Sequence, residues 1–135
     1  MATIESVYLG ELRTSAKHLK SGIEIITDAP VDNQGKGEAF SPSDLVAGAL
    51  GSCMMTIMGI VARRENIDIT GIKMEITKIM TPVPPRKIAE IQIKFDIGNI
   101  QISDSHKEML KHAAHTCPVA LSIHPDIKQT VEFGF

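Results

Sequence analysis

Short apolar runs broken by turn residues fill the first thirty positions. Val7-Tyr8-Leu9 and Leu12-Arg13-Thr14 flank Gly10-Glu11, and Ile23 to Thr27 follows Ser21-Gly22. This pattern predicts a short antiparallel meander. Asp28 to Phe40 carries Pro30, Asp32, Asn33, Gly35 and Gly37 and reads as a loop. Its length is unusual for a compact domain, and long loops are often functional. Ser41-Pro42 then opens a helix, the serine as cap and the proline at the first helical position. Asp44 near its start and Arg63 and Arg64 near its end suit the helix dipole. The helix is expected to run to about Glu65, with Asn66 ending it. Two strands follow. Ile72, Met74 and Ile76 alternate with polar residues within 67–80, and Ile91, Ile93 and Phe95 do so within 88–97. Pro82-Val83-Pro84-Pro85 connects them stiffly. Ser105-x-x-Glu108 matches a capping box, and Met109, Leu110, Ala113 and Ala114 give a second helix its apolar stripe. Pro118 pushes Cys117 out of helical geometry and interrupts that helix. A short helix over 119–123 and a last strand over 127–135 complete the chain.

One stretch changes the picture. Between Leu45 and Ala62 there is no charged residue, a length at the threshold for crossing a bilayer. Gly48, Gly51, Ser52, Thr56 and Gly59 keep its hydrophobicity modest. Without it the amphipathic strands would have no core, so it is read as a long central buried helix and no membrane is expected. A chain of 135 residues has little to wrap such a helix on all sides. A second copy is the natural cover. The expectation is therefore an α+β fold, one domain over 1–135, working as a homodimer. The net charge of −2, the absence of tryptophan and the single tyrosine argue against a nucleic-acid partner. The first residues carry no basic segment leading into an apolar run, which points to a cytoplasmic protein.

Two cysteines are too few for a disulfide scaffold or an all-cysteine zinc site. Cys53 falls in the middle of the long helix and Cys117 at a helix start. A helix N-terminus lowers a thiol's pKa, so Cys117 is expected to have that advantage. A reactive Cys53 needs a cation from elsewhere, and Arg13, His18 and His115 are candidates. The small residues Gly48, Ala49, Gly51 and Ser52 allow another segment, or a substrate, to approach the sulfur, or serve helix packing alone. His112 and His115 are read as a solvated helix face rather than a metal site. Met54, Met55 and Met58 are read as core filler. Gly35-Lys36-Gly37 lacks the spacing of a phosphate loop. No metal and no cofactor are expected.

Phe40-Ser41-Pro42-Ser43-Asp44-Leu45, Ala49-Leu50-Gly51-Ser52-Cys53-Met54 and Thr116-Cys117-Pro118-Val119 together resemble the OsmC/Ohr family of osmotically inducible and organic hydroperoxide resistance proteins. The predicted order of elements is similar as well. The resemblance implies an intertwined homodimer that reduces hydroperoxides. It makes Cys53 the peroxidatic and Cys117 the resolving cysteine. The two would form an intramolecular disulfide that an external dithiol reduces. It also implies that Arg13 holds the thiolate.

One position departs from the family. A glutamate ten residues before the first cysteine orients the arginine in the peroxidases; here that residue is Ser43, beside Asp44. Asp44 is a possible substitute, or serves only the helix dipole. The departure suggests a divergent branch. It leaves two alternatives to a peroxidase: a non-catalytic protein binding a small apolar ligand, or a redox-responsive or structural dimer.

Overall fold

The computed structural model describes residues 1–135. Its elements are β1 (Ile4–Gly10), β2 (Arg13–His18), β3 (Glu24–Asp28), α1 (Pro42–Arg64), β4 (Lys73–Met80), β5 (Ile88–Asp96), α2 (Asp104–His115), α3 (Pro118–Ser122) and β6 (Lys128–Gly134). The fold is α+β, as the pattern predicts. The strands form two three-stranded sheets, β1-β2-β3 and β4-β5-β6. Two compact units divide the chain, Met1–Val46 and Ala47–Phe135, with the division falling inside α1.

In the N-terminal unit both pairings are antiparallel. Glu11 and Leu12 take left-handed backbone angles, φ 54° and 62°, between β1 and β2. Turns of that hand match the twist of the strands they join. The loop after β3 folds back on its own start: Gly35 N–H donates to the Pro30 carbonyl and Gly37 N–H to that of Ala29. Val31–Asn33 forms one turn of 3₁₀ helix inside it. A Cβ on Gly35 would lie 1.8 Å from the Ala29 carbonyl oxygen, so only glycine allows this approach. Apolar side chains of this unit, Ile4, Val7, Leu9 and Ile25 among them, are exposed.

Helix α1 starts with a reciprocal cap. Asp44 N–H donates to Ser41 Oγ at 3.0 Å, and Ser41 N–H donates to Asp44 Oδ2 at 3.0 Å. Two orphan donors of the first turn are satisfied this way. At its other end Ile67 N–H reaches the Ala62 carbonyl and Asn66 N–H that of Arg63. With Asn66 at φ 57°, this is a Schellman stop.

The C-terminal unit holds the core. Ala47, Leu50, Gly51, Met54, Met58, Val61 and Ala62 mark the buried side of α1. All of these but Gly51 pack in one cluster with Ile91, Ile93 and Phe95 of β5 and Leu110, Ala113 and Ala114 of α2. Each large side chain buried here contributes about 1.5–3 kcal/mol. Strand β5 is central, antiparallel to β4 and parallel to β6. The buried positions of α1 recur every three to four residues, so this chain covers one side of the helix. On the other side Ile60 remains 56% exposed and Val46 is exposed too. By length and composition α1 could cross a membrane. Core helices share that property, and the buried stripe of α1 is of that kind.

Two boundaries differ from expectation. β4 begins at Lys73 rather than near 67, because Gly71 turns the chain at φ 94°. The cap of α2 is Ser103, whose Oγ accepts the His106 N–H, not Ser105. Ser103 sits where the backbone is still extended and can turn its side chain onto the helix.

Candidate active site

Cys53 lies on α1, half-buried, packed against the core cluster. Cys117 is 0% exposed and belongs to that cluster. It is the N-cap of α3, held extended at ψ 150° by Pro118. Its Sγ accepts the Ala120 N–H at 3.4 Å. Both sulfurs adjoin the same core cluster, and Cys53 is near enough to raise the pKa of the Cys117 thiol. Both are free. The tertiary fold therefore brings together two cysteines more than sixty residues apart in sequence.

The expected advantage of Cys117 is reversed. Burial pushes its thiol up from the ordinary range, and the neighbouring Cys53 adds to the rise. The N–H groups of Ala120 and Val119 pull the other way without prevailing. A helix of five residues presents few oriented dipoles, while a fully enclosed sulfur loses its water.

Gly51 explains the small residues near Cys53 in part. Its missing side chain admits β4, where a Cβ would meet Ile76 Cδ1 at 2.5 Å and Met74 Sδ at 3.0 Å. Gly48 has open space instead. His115 packs edge-on against Phe133, and His18 Nδ1 pairs with Ser21 Oγ at 2.6 Å in an exposed turn. No group of three or more His, Cys, Asp or Glu side chains converges as a metal site would require.

Arg13 begins β2 in the N-terminal unit. Its Nε donates to Asp28 Oδ1 at 2.7 Å and its Nη2 to Asp28 Oδ2 at 2.8 Å. Nη2 also donates to Glu38 Oε1 at 3.1 Å. Asp28 is 1% exposed and accepts a third bond, from Glu38 N–H at 3.0 Å. The Arg13 guanidinium holds the Asp28 carboxyl below its usual range, outweighing the opposing effect of burial. The same pair raises Arg13 above its already high value. Asp28 and Glu38 escaped the sequence reading. The available signal was an opposite charge facing Arg13 across the hairpin, since Arg13 and Asp28 are register partners. Asp44, the suggested substitute for the family glutamate, caps α1 through Ser41.

The OsmC-like family model matches residues 35–132. The chain belongs to the OsmC-like family. A solved Psychrobacter arcticus 273-4 protein, named for osmotic stress and detoxification responses, is 54% identical over 98% of this chain and 96% of its own, with a TM-score of 0.93. Two more distant structures share the OsmC-like fold. An organic hydroperoxide resistance protein of Legionella pneumophila is 16% identical, with TM-score 0.71 over 100% of this chain and 98% of that one. One of that name from Vibrio cholerae, with captopril bound in one of its active sites, is 17% identical, with TM-score 0.74 over 99% and 92%. No curated protein sequence matches significantly.

Proposed function

We propose that this OsmC-like protein is a cysteine peroxidase for organic hydroperoxides. One observation carries the reading: two free thiols of unequal exposure adjoin one core cluster, near enough for Cys53 to raise the pKa of Cys117. In this mechanism the Cys53 thiolate attacks the O–O bond, becomes a sulfenic acid and releases the alcohol. The Cys117 thiol condenses with it, forming the Cys53–Cys117 disulfide and expelling water. An external dithiol then returns both sulfurs to thiols and is itself oxidised to a disulfide. A resolving thiol at this range protects the sulfenic acid from irreversible oxidation. Arg13 is assigned the cation that favours the thiolate. The apolar cluster of methionine and isoleucine around the sulfurs supports a preference for organic over hydrogen peroxide. The working unit is a homodimer, for which the uncovered apolar side of α1 and the exposed apolar residues of β1 and β3 speak.

The test is a thiol titration under excess alkyl hydroperoxide. Two thiols should be lost per chain and recovered with a dithiol, and Cys53→Ser should lose neither. Unchanged thiols in the native protein would overturn the reading and leave a ligand-binding or structural dimer.

A further inference from the structure

We propose that Gln129 is a positioning residue for Cys117: from β6 it latches α3 in the thiol state, and release of that latch frees the Cys117 sulfur for the disulfide. The proposal rests on the proposed Cys53–Cys117 disulfide for its purpose, and on the bond from Gln129 to α3 for its geometry. Every group involved lies within the unit Ala47–Phe135.

Gln129 breaks a pattern. Alternate residues of β6, Gln129, Val131 and Phe133, are half-buried, while Lys128, Thr130 and Glu132 are exposed. Val131 and Phe133 pack against the core cluster. In the parallel register Gln129 stands beside Ile91, which is fully buried. An apolar side chain would suit that place, since a polar one next to the core costs free energy unless it is hydrogen-bonded. The Gln129 amide has its partner: Nε2 donates to the Ala120 carbonyl at 3.0 Å. The N–H of the same Ala120 donates to Cys117 Sγ at 3.4 Å. Gln129 thus holds the residue that holds the sulfur.

Disulfide formation requires a sulfur to move, because the covalent bond is shorter than any contact between unbonded thiols. Cys53 sits in the middle of α1, a helix of 23 residues with a buried stripe and hydrogen-bonded stops at both ends. Cys117 caps α3, a helix of five residues, none of them buried, with Leu121 72% exposed. Helices so short do not stand alone in water. The element that yields is therefore α3. Its own turn is held by Leu121 N–H on the Cys117 carbonyl and Ile123 N–H on that of Val119, and Gln129 fastens it to the sheet. Loosening that fastening lets Cys117 leave the Ala120 N–H and reach Cys53.

The experiment compares the native protein with Gln129→Met and Gln129→Lys. Methionine keeps the length, suits the neighbourhood of Ile91 and has no donor. Lysine returns a donor on a slightly longer side chain. Reaction with one equivalent of tert-butyl hydroperoxide is quenched over time, and mass spectrometry follows the Cys53 sulfenic acid and the disulfide separately. The net strength of one hydrogen bond corresponds to about two- to tenfold in the opening of α3. Closure of the disulfide should be faster by that factor in Gln129→Met, with formation of the sulfenic acid unchanged. Iodoacetamide labelling of Cys117 should rise by the same factor, and that of Cys53 should not. Gln129→Lys should bring both rates back towards native, a rescue that a purely packing role of Gln129 would not give. Closure in Gln129→Met equal to or slower than native would overturn the proposal. A native protein inert to peroxide would instead overturn the function. Closure is then driven with oxidised glutathione. The Cys53 thiolate takes one glutathionyl sulfur and expels the other as a thiolate, and the Cys117 thiolate displaces the first to form the same disulfide. Faster closure in Gln129→Met would support the latch by this route too, and equal closure or no disulfide at all would overturn it.

Discussion

Cys117 sets two opposing effects on one sulfur. Backbone N–H groups at the start of α3 favour its thiolate, and enclosure in the core disfavours it. Enclosure prevails because an anion without water costs more than two weak N–H···S bonds return. Cys53 is half-exposed by contrast. At neutral pH iodoacetamide should therefore label Cys53 first and Cys117 many times more slowly. Labelling of Cys117 should accelerate only well above pH 8.5, about where an unperturbed thiol ionises. Mass spectrometry of the labelled peptides reads this directly, and equal rates at neutral pH would contradict it. Position along the chain told where each cysteine lies in its helix. It could not tell how deeply each is enclosed, since depth depends on residues of distant elements packing into one cluster. Asp28 was missed for a related reason. As the first residue of the predicted loop it reads as a turn residue, and becomes a partner of Arg13 only once the hairpin register is set.

At the level of elements, the loop after β3 decides the most. Glycine at 35 lets it fold onto Ala29, and Glu38 follows from that fold to Arg13. Gly35→Ala would place a Cβ against backbone rather than against the movable end of a side chain. It should destabilise the protein by about 1–3 kcal/mol, the usual cost of overpacking. The urea midpoint should fall accordingly, and an unchanged midpoint would show that the loop relaxes freely. Most elements were legible from their patterns. The Ser41-Pro42 start and Asn66 stop of α1 and the alternation in β4 and β5 are local signals, made by neighbouring residues. Strand β4 began later than its apolar pattern suggested. Ile67 and Ile69 pack against or within the core from irregular backbone, where apolar character carries no strand information.

At the level of the molecule, the proposed homodimer is open to direct test. Ile60 on α1 and Ile4, Val7 and Ile25 in the N-terminal sheet are exposed, and exposed apolar patches mark association surfaces. Sedimentation at micromolar concentration should give twice the chain mass of 14.7 kDa. Ile4→Lys with Ile25→Lys, on strands β1 and β3 of one sheet, should shift the species towards monomer. A native monomer at tens of micromolar would remove the homodimer from the proposed working unit. The sequence by itself determined the class of fold, the extent and apolarity of α1 and the surroundings of each cysteine, because periodicity and capping act over a few residues. Only the tertiary structure decided that Cys53 and Cys117 adjoin one core cluster, that burial outweighs the helix terminus at Cys117, and that Asp28 holds Arg13. Those outcomes depend on which distant segments pack together, and no local pattern of residues records that.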